Sequence, residues 1–384
     1  MRRFHLTGAG LLLGAIWIAS GIWIASGASA ANIQFDASTS NDFNEATNWS
    51  DDTAPTADLD VHFIENGLTA ELTGAATVNG VVVGDVSVGT LNINGGTLTV
   101  DITAGFPQGF SIGGHLNNHT GFGTVNVTNG GTVNINLAGG SPDTGFVGER
   151  ADGTLNIGPG STINAPGIIW RIGQFGGFFG PPPPWDAVGI VNVQGTLTTR
   201  QLYVGVQGGD SEVTVSGNGS INLSHQLHSS IETFRVERSS LMRIIGSQAS
   251  WSSDDIIANT QAGEVRNTFE FVTDSGGVSP FVARDAILFN NARVNIDLTS
   301  FPMSVGQTLR LFDAAPGQLA DGHVFGELNV TGAPAAQAFR LAYDDIATGD
   351  IFLVRVPEPA SLGILAVAAA CIAAAQGGAR SRKT

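Results

Sequence analysis

The feature that most limits this chain is a repeated Gly-Thr-Leu/Val-Asn-Ile/Val segment followed by a Gly/Asn turn and a second alternating segment. The first copies are Gly89-Thr-Leu-Asn-Ile-Asn-Gly-Gly-Thr-Leu-Thr-Val100 and Gly123-Thr-Val-Asn-Val-Thr-Asn-Gly-Gly-Thr-Val-Asn-Ile135. Others start at Gly153 and Gly189, and two degenerate copies start at Ser211 and Ser240, at spacings of 34, 30, 36, 22 and 29 residues. Period-2 alternation places Leu91, Ile93, Leu98 and Val100 on one side and Asn92, Thr97 and Thr99 on the other. A single such unit cannot bury its apolar side; stacking on its neighbours closes both the core and the hydrogen-bond ladder.

A third short element recurs between copies, as Ser87-Val-Gly89, Ser111-Ile-Gly113, Phe146-Val-Gly148, Arg171-Ile-Gly173 and Tyr203-Val-Gly205. Three short strands per unit predict an all-β, right-handed parallel β-helix (β-solenoid). A series of independent β-hairpins in a sandwich is the alternative that the Gly-Gly turns permit. In the β-helix, Asn92, Asn126, Asn156 and Asn192 share one repeat position, which places them for a hydrogen-bonded ladder along the stack.

Composition agrees. The 384 residues include 52 glycines, suited to coil corners, but no strict three-residue period, which excludes collagen. Lys+Arg total 17 against 33 acidic residues, and the resulting charge of −16 argues against a nucleic-acid partner. The single cysteine, Cys371, lies near the C-terminus, so a disulfide framework is excluded and stability must come from burial and backbone pairing.

The termini read as addresses. Arg2 and Arg3 precede an apolar run from Gly8 to Ile24, and Ala28-Ser29-Ala30 supplies a small-x-small cleavage site, so residues 1–30 read as a signal peptide; an uncleaved anchor is the alternative. At the other end, Val356-Pro357-Glu358-Pro359 precedes an apolar run from Leu362 to Ala375 and a basic tail of Arg380, Arg382 and Lys383. Residues 360–379 would span about 30 Å as a helix, enough for a bilayer core, with the basic tail kept cytoplasmic. Motif, span and tail in this order resemble the PEP-CTERM sorting signal of Gram-negative bacteria, over some 29 residues. The resemblance implies an exosortase-type processing enzyme as partner, with export machinery, transient inner-membrane residence through the C-terminal transmembrane helix, and final delivery to the cell surface or extracellular matrix. It also implies association with exopolysaccharide or biofilm. A plain C-terminal anchor is the alternative. An autotransporter passenger, which the repeats also resemble, is weakened because no set of amphipathic barrel strands follows them.

The expected organisation is a signal peptide (1–30), an N-terminal cap segment (31–72), β-helix repeats (73–263), an antiparallel β C-terminal cap or small β-sandwich (264–355) and the sorting signal with its transmembrane helix (356–384). The cap reading of 31–72 rests on an aromatic, acidic stretch around Phe43, Trp49, Pro55, Asp58, Asp60 and Phe63, similar to the start of solenoid proteins in this sorting class.

Motifs for chemistry are sparse. His115 and His119 have zinc-helix spacing but sit in a Gly/Asn loop without the following Glu, and His225 and His228 offer no better ligand set. Asp143, Glu149, Arg150 and Asp152 flank a turn, where a polysaccharide lyase or hydrolase on a β-helix would need clustered carboxylates and a base. Asp51-Asp52, Asp254-Asp255 and Asp344-Asp345 follow no calcium-loop pattern, and there is no P-loop, dinucleotide fingerprint or nucleophile elbow. No catalytic residue, metal site or cofactor is therefore expected. The least ordinary stretch is Phe175-Gly-Gly-Phe-Phe-Gly-Pro-Pro-Pro-Pro-Trp185, whose prolines donate no ladder bonds and so must leave the coil. Its rings Phe175, Phe178, Phe179 and Trp185 form a possible binding loop for sugars or a partner, or else fold back over the solenoid. The sequence thus points to an exported structural or adhesive solenoid, not an enzyme, with a polysaccharide-degrading enzyme on the same scaffold as the alternative.

Overall fold

The computed structural model describes residues 31–357 except 59, 104–108, 115–119, 139–142, 174–186, 206–209, 231–239, 260–266, 286, 291, 318–324, 335–336 and 345–348. The signal cleavage residues Ala28 and Ala30, the sorting residues Glu358 and Pro359, the C-terminal span, the tail residues Arg380, Arg382 and Lys383, and the aromatic loop residues Phe175, Phe178, Phe179 and Trp185 lie outside the described residues, as do His115 and His119. Among the described residues no helix is long and apolar enough to cross a membrane.

Nearly all regular structure is β, and its sheets are built mainly from parallel strands, the arrangement of a β-solenoid. One coil shows the plan: Val88–Asn94 forms a first face, Thr97–Thr103 a second and Phe110–Ile112 a third. The strands on either side of Gly95-Gly96 do not pair with each other. Instead Val88–Asn94 pairs in parallel with Phe122–Thr128 of the next coil, and Thr97–Thr103 with Thr132–Ala138. The Gly-Gly turn is therefore a coil corner and not a hairpin.

Among the described residues the first face is a sheet of ten strands, from Leu68–Leu72 to Glu327–Thr331. The second and third faces join into one sheet because the strands Thr162–Ile172 and Thr196–Val204 run continuously through the bend between them. Register follows the repeat: Gly89, Gly123, Gly153, Gly189, Ser211 and Ser240 are successive partners. Leu91, Ile93, Leu98 and Val100 are fully buried, while Asn92, Thr97 and Thr99 lie half-exposed outside. One core cluster runs the length of the stack, from Ile33 to Leu353.

The third recurring element is also in register, with one correction. Ser111, Phe146, Arg171 and Tyr203 are successive partners, but their mate in the preceding coil is Val82, not Ser87. Ser87 precedes the first-face strand; the Val-Gly pair occurs on both sides of the same corner, so its sequence could not distinguish them. The glycines closing this element, Gly84, Gly113, Gly148, Gly173 and Gly205, all have φ between 65° and 79°. A Cβ at Gly113 would also lie 2.2 Å from the backbone oxygen of Asp152 in the next coil, so both conformation and close stacking require glycine here.

The stack continues beyond the recognisable repeat. Ser240–Ile245 pairs in parallel with Asn267–Val272, which pairs with Arg293–Asp297, which pairs with Glu327–Thr331. Among the described strands, the antiparallel pairing expected from residue 264 joins Thr308–Ala314, Ala338–Asp344 and Asp350–Val356. The reason is that coil pairing needs alternation and not the Gly/Asn turn. Phe269 and Phe271 keep the inward positions and pack edge-to-face on Phe281 at centroid distances of 5.3 and 5.4 Å. At the N-terminal end Trp49 is buried between Phe35, Phe43 and His62, and its indole N–H donates to the carbonyl of Phe43 at 2.8 Å. Phe43 N–H donates to the carbonyl of Glu71, which ties residues 35–49 to the edge of the first-face sheet.

Candidate functional site

The outer surface of the first face carries the most regular chemistry. In parallel, in-register strands, residues at one repeat position stand one strand spacing apart, about 4.8 Å, so short polar side chains reach their counterparts in the next coil. The expected asparagine ladder forms. Asn126 Nδ2 donates to Asn92 Oδ1 at 2.8 Å, Asn156 to Asn126 at 2.8 Å, and Asn192 to Asn156 at 2.9 Å. Asn92 Nδ2 in turn donates to Glu71 Oε1 at 2.5 Å. Glu71 was not singled out by the sequence, yet it occupies the same register position. With a Glu71 oxygen accepting at one end, every amide in the row directs its NH₂ toward the N-terminal end.

Beyond Asn192 the column continues through Thr214, Arg243, Glu270, Asn295 and Asn329. Its character changes from neutral to ionic: Arg243 bridges Glu212 at 2.7 Å and Glu270 on its other side. Asn329 Nδ2 then donates to Asn295 Oδ1 at 3.1 Å, and Arg293 pairs with Glu327 at 2.8 Å. Asn329 and Arg293 together hold the Glu327 carboxyl below its ordinary pKa. The degenerate copies hid this continuation, because only the register, not residue identity, marks it.

The turn residues considered for catalysis are dispersed in use. Glu149 is buried at the corner after Gly148, and Asp152 spends one carboxylate oxygen accepting the N–H of Val188 in the next coil at 2.9 Å. Asp143 falls in the strand Asp143–Val147. Asp254 pairs with Arg284 at 2.7 Å, and Asp255 accepts from Gln226, itself bonded to Gln201, in a second side-chain row. Among the described residues no group of three or more His, Cys, Asp and Glu side chains stands close enough to hold a metal ion. Of the sorting motif, Val356 ends the last strand and Pro357 follows it. The aromatic insertion is bracketed by the third-face strand ending at Ile172 and the first-face strand beginning at Val188, so both of its described flanks lie at one corner of the coil.

A different corner carries a cavity. Between the first and second faces, four residues (158–161) join Ile157 to Thr162, and four (216–219) join Val215 to Ser220. In the coil between them only Gln194 and Gly195 join Val193 to Thr196. The short turn leaves an open cleft of about 550 Å³, lined among others by Pro159, Ser161, Thr162, Gln194, Thr196 and Asn218. The signal for it was present in the sequence as a turn two residues shorter in the Gly189 copy.

No family model matches the chain, and no curated protein or solved structure matches it either.

Proposed function

We propose that this protein is an exported β-solenoid scaffold, a right-handed parallel β-helix that is sorted by an exosortase-type enzyme through Val356, Pro357, Glu358 and Pro359 and works at the cell surface or in the extracellular matrix alongside exopolysaccharide. The observation that supports a display role is the in-register row of outward amides Asn92, Asn126, Asn156 and Asn192 on four successive strands of the first face. Such a row offers four equivalent weak hydrogen-bonding positions, and their simultaneous use gives avidity to a repeating polymer without any single strong contact.

Loss of residues 1–30 and of the basic tail leaves 12 arginines against 33 acidic residues, a formal charge of −21. This acidic, lysine-free body would be repelled by acidic polymers and kept soluble at the surface. Mass spectrometry of the mature C-terminus tests the sorting step: a chain ending near Pro359 is expected, and an exported chain that keeps Arg380–Thr384 would overturn it. Incubation of the protein with neutral and acidic polysaccharides tests the scaffold role. Chain cleavage would replace that role with an enzymatic one.

A further inference from the structure

We infer that the cleft over Gln194-Gly195 is a binding site for a neutral hexose unit of a polysaccharide. The inference deepens the proposed association with exopolysaccharide and rests on it, but it assigns a ligand class to a site at the opposite end of the first-face strand Val188–Val193 from Val188.

The cleft exists because two residues are missing from one turn of an otherwise continuous column. The flanking turns project past it, with Gly160 and Gly217 both at positive φ and with open space where a Cβ would stand. Its floor is held close to the coil: Gln194 and Gly195 both donate to the carbonyl of Ile157, at 2.7 and 3.0 Å, and Thr196 donates to the carbonyl of Ser161 at 2.9 Å. A Cβ on Gly195 would lie 2.2 Å from the Ser161 carbonyl oxygen, so the depth of the floor is fixed by glycine. The cleft is thus set by backbone hydrogen bonds before any ligand arrives.

Its lining defines the ligand. Hydroxyls of Thr162 and Thr196 and amides of Gln194 and Asn218 supply both donors and acceptors, and no lining residue is charged. Pro159 and the threonine methyls add small apolar patches. A pyranose presents the complement, with ring hydroxyls that donate and accept and C–H faces that pack on such patches. An anionic sugar would find no cation here, inside a strongly acidic body. Ser161 is only 1% exposed, so it shapes the wall of the cleft while Thr162 and Thr196, both half-exposed, present their side chains to it. The volume of about 550 Å³ falls in the range of small-molecule sites.

The test uses the full chain in mild detergent, titrated by calorimetry with isomaltohexaose, cellohexaose and laminarihexaose, and with an alginate hexamer as the acidic comparison. Binding of at least one neutral hexamer, with none of the alginate, is expected. Two variants probe the site. Insertion of Asn-Gly between Gln194 and Gly195 restores a four-residue turn and fills the cleft, and should abolish binding. Thr162→Val with Thr196→Val keeps shape and strand preference but removes two hydroxyls, and should weaken binding about tenfold. Unchanged binding by both variants would overturn the cleft assignment while leaving the polysaccharide association standing. Failure of every neutral hexamer to bind the unaltered chain would overturn the cleft assignment, co-sedimentation of the same chain with intact neutral polysaccharide judges the polymer association separately, and equal binding of alginate would overturn the neutral specificity.

Discussion

The asparagine row makes a graded prediction. Asn126 and Asn156 each make two amide-to-amide bonds, one given and one accepted, whereas Asn192 gives one to Asn156 and lies at the end of the asparagine run. At a net 0.5–1.5 kcal/mol per hydrogen bond, Asn126→Ala should cost about 1–3 kcal/mol and Asn192→Ala about 0.5–1.5 kcal/mol. The side chains are half-exposed, so water partly replaces the lost partners and the lower part of each range is expected. Asn126→Thr adds the better strand preference of a β-branched residue and should recover a few tenths of a kcal/mol without restoring the row. The assay is urea unfolding, paired with native-state hydrogen exchange on the first-face strands, because a stack with mainly nearest-neighbour contacts opens locally as well as globally. Exchange should rise at the strands 88–94 and 122–128 and their neighbours, and not at the strand 293–297. Equal costs at Asn126 and Asn192, or no cost at Asn126, would refute the claim that a continuous row stabilises the stack.

Other expectations follow from single contacts. Gly123→Ala places a Cβ 2.2 Å from the carbonyl oxygen of Val83, so the coils must separate at that corner; a loss of about 1–3 kcal/mol should appear in thermal unfolding. Trp49→Ala removes the fully buried ring between Phe35 and Phe43 and should cost about 3–5 kcal/mol, seen as fast hydrogen exchange in residues 61–72. Burial holds His62 below its ordinary pKa of 6.5, against weaker opposing effects of a backbone bond to Gly80 and of Asp51, Asp60 and Asp58. The unfolded chain therefore takes up this proton first as pH falls below about 6.5, and stability of the N-terminal coils should decline from there toward the lowered native value. Replacing His62 with Phe should flatten that part of the stability profile measured between pH 7 and 5. Hydrogen bonds from Ser247, with others from Gly276 and Gly277, depress the Asp274 carboxyl, so its contribution is present above the ordinary carboxylate range and disappears only at lower pH, separating the two transitions.

Much of this architecture was readable because a solenoid turns local pattern into global structure. Alternation at Leu91, Ile93, Leu98 and Val100 fixes what faces inward, and a repeat of that pattern fixes what stacks on what, so the copies starting at Gly89, Gly123, Gly153 and Gly189 stand in register. The asparagine row followed from the same alignment. Reading failed where identity and position part company. Ser87-Val-Gly89 looked like a third-face element because Val-Gly borders the corner on either side. The strands after residue 264 looked like a different fold because the Gly/Asn turn disappears while the inward Phe269, Phe271, Val294 and Ile296 keep the coil going.

The sequence by itself determined the β class, the inward and outward residues, the amide row and the acidic, disulfide-free character of the body, since all of these depend on spacing and composition along the chain. Only the tertiary structure decided which carboxylate ends the row, how Arg243 is shared between Glu212 and Glu270, and that two residues missing from one turn become a cleft. Those features belong to no single coil. They arise when coils of unequal length stack at a fixed strand spacing, so that a change in one turn is expressed as space between its neighbours.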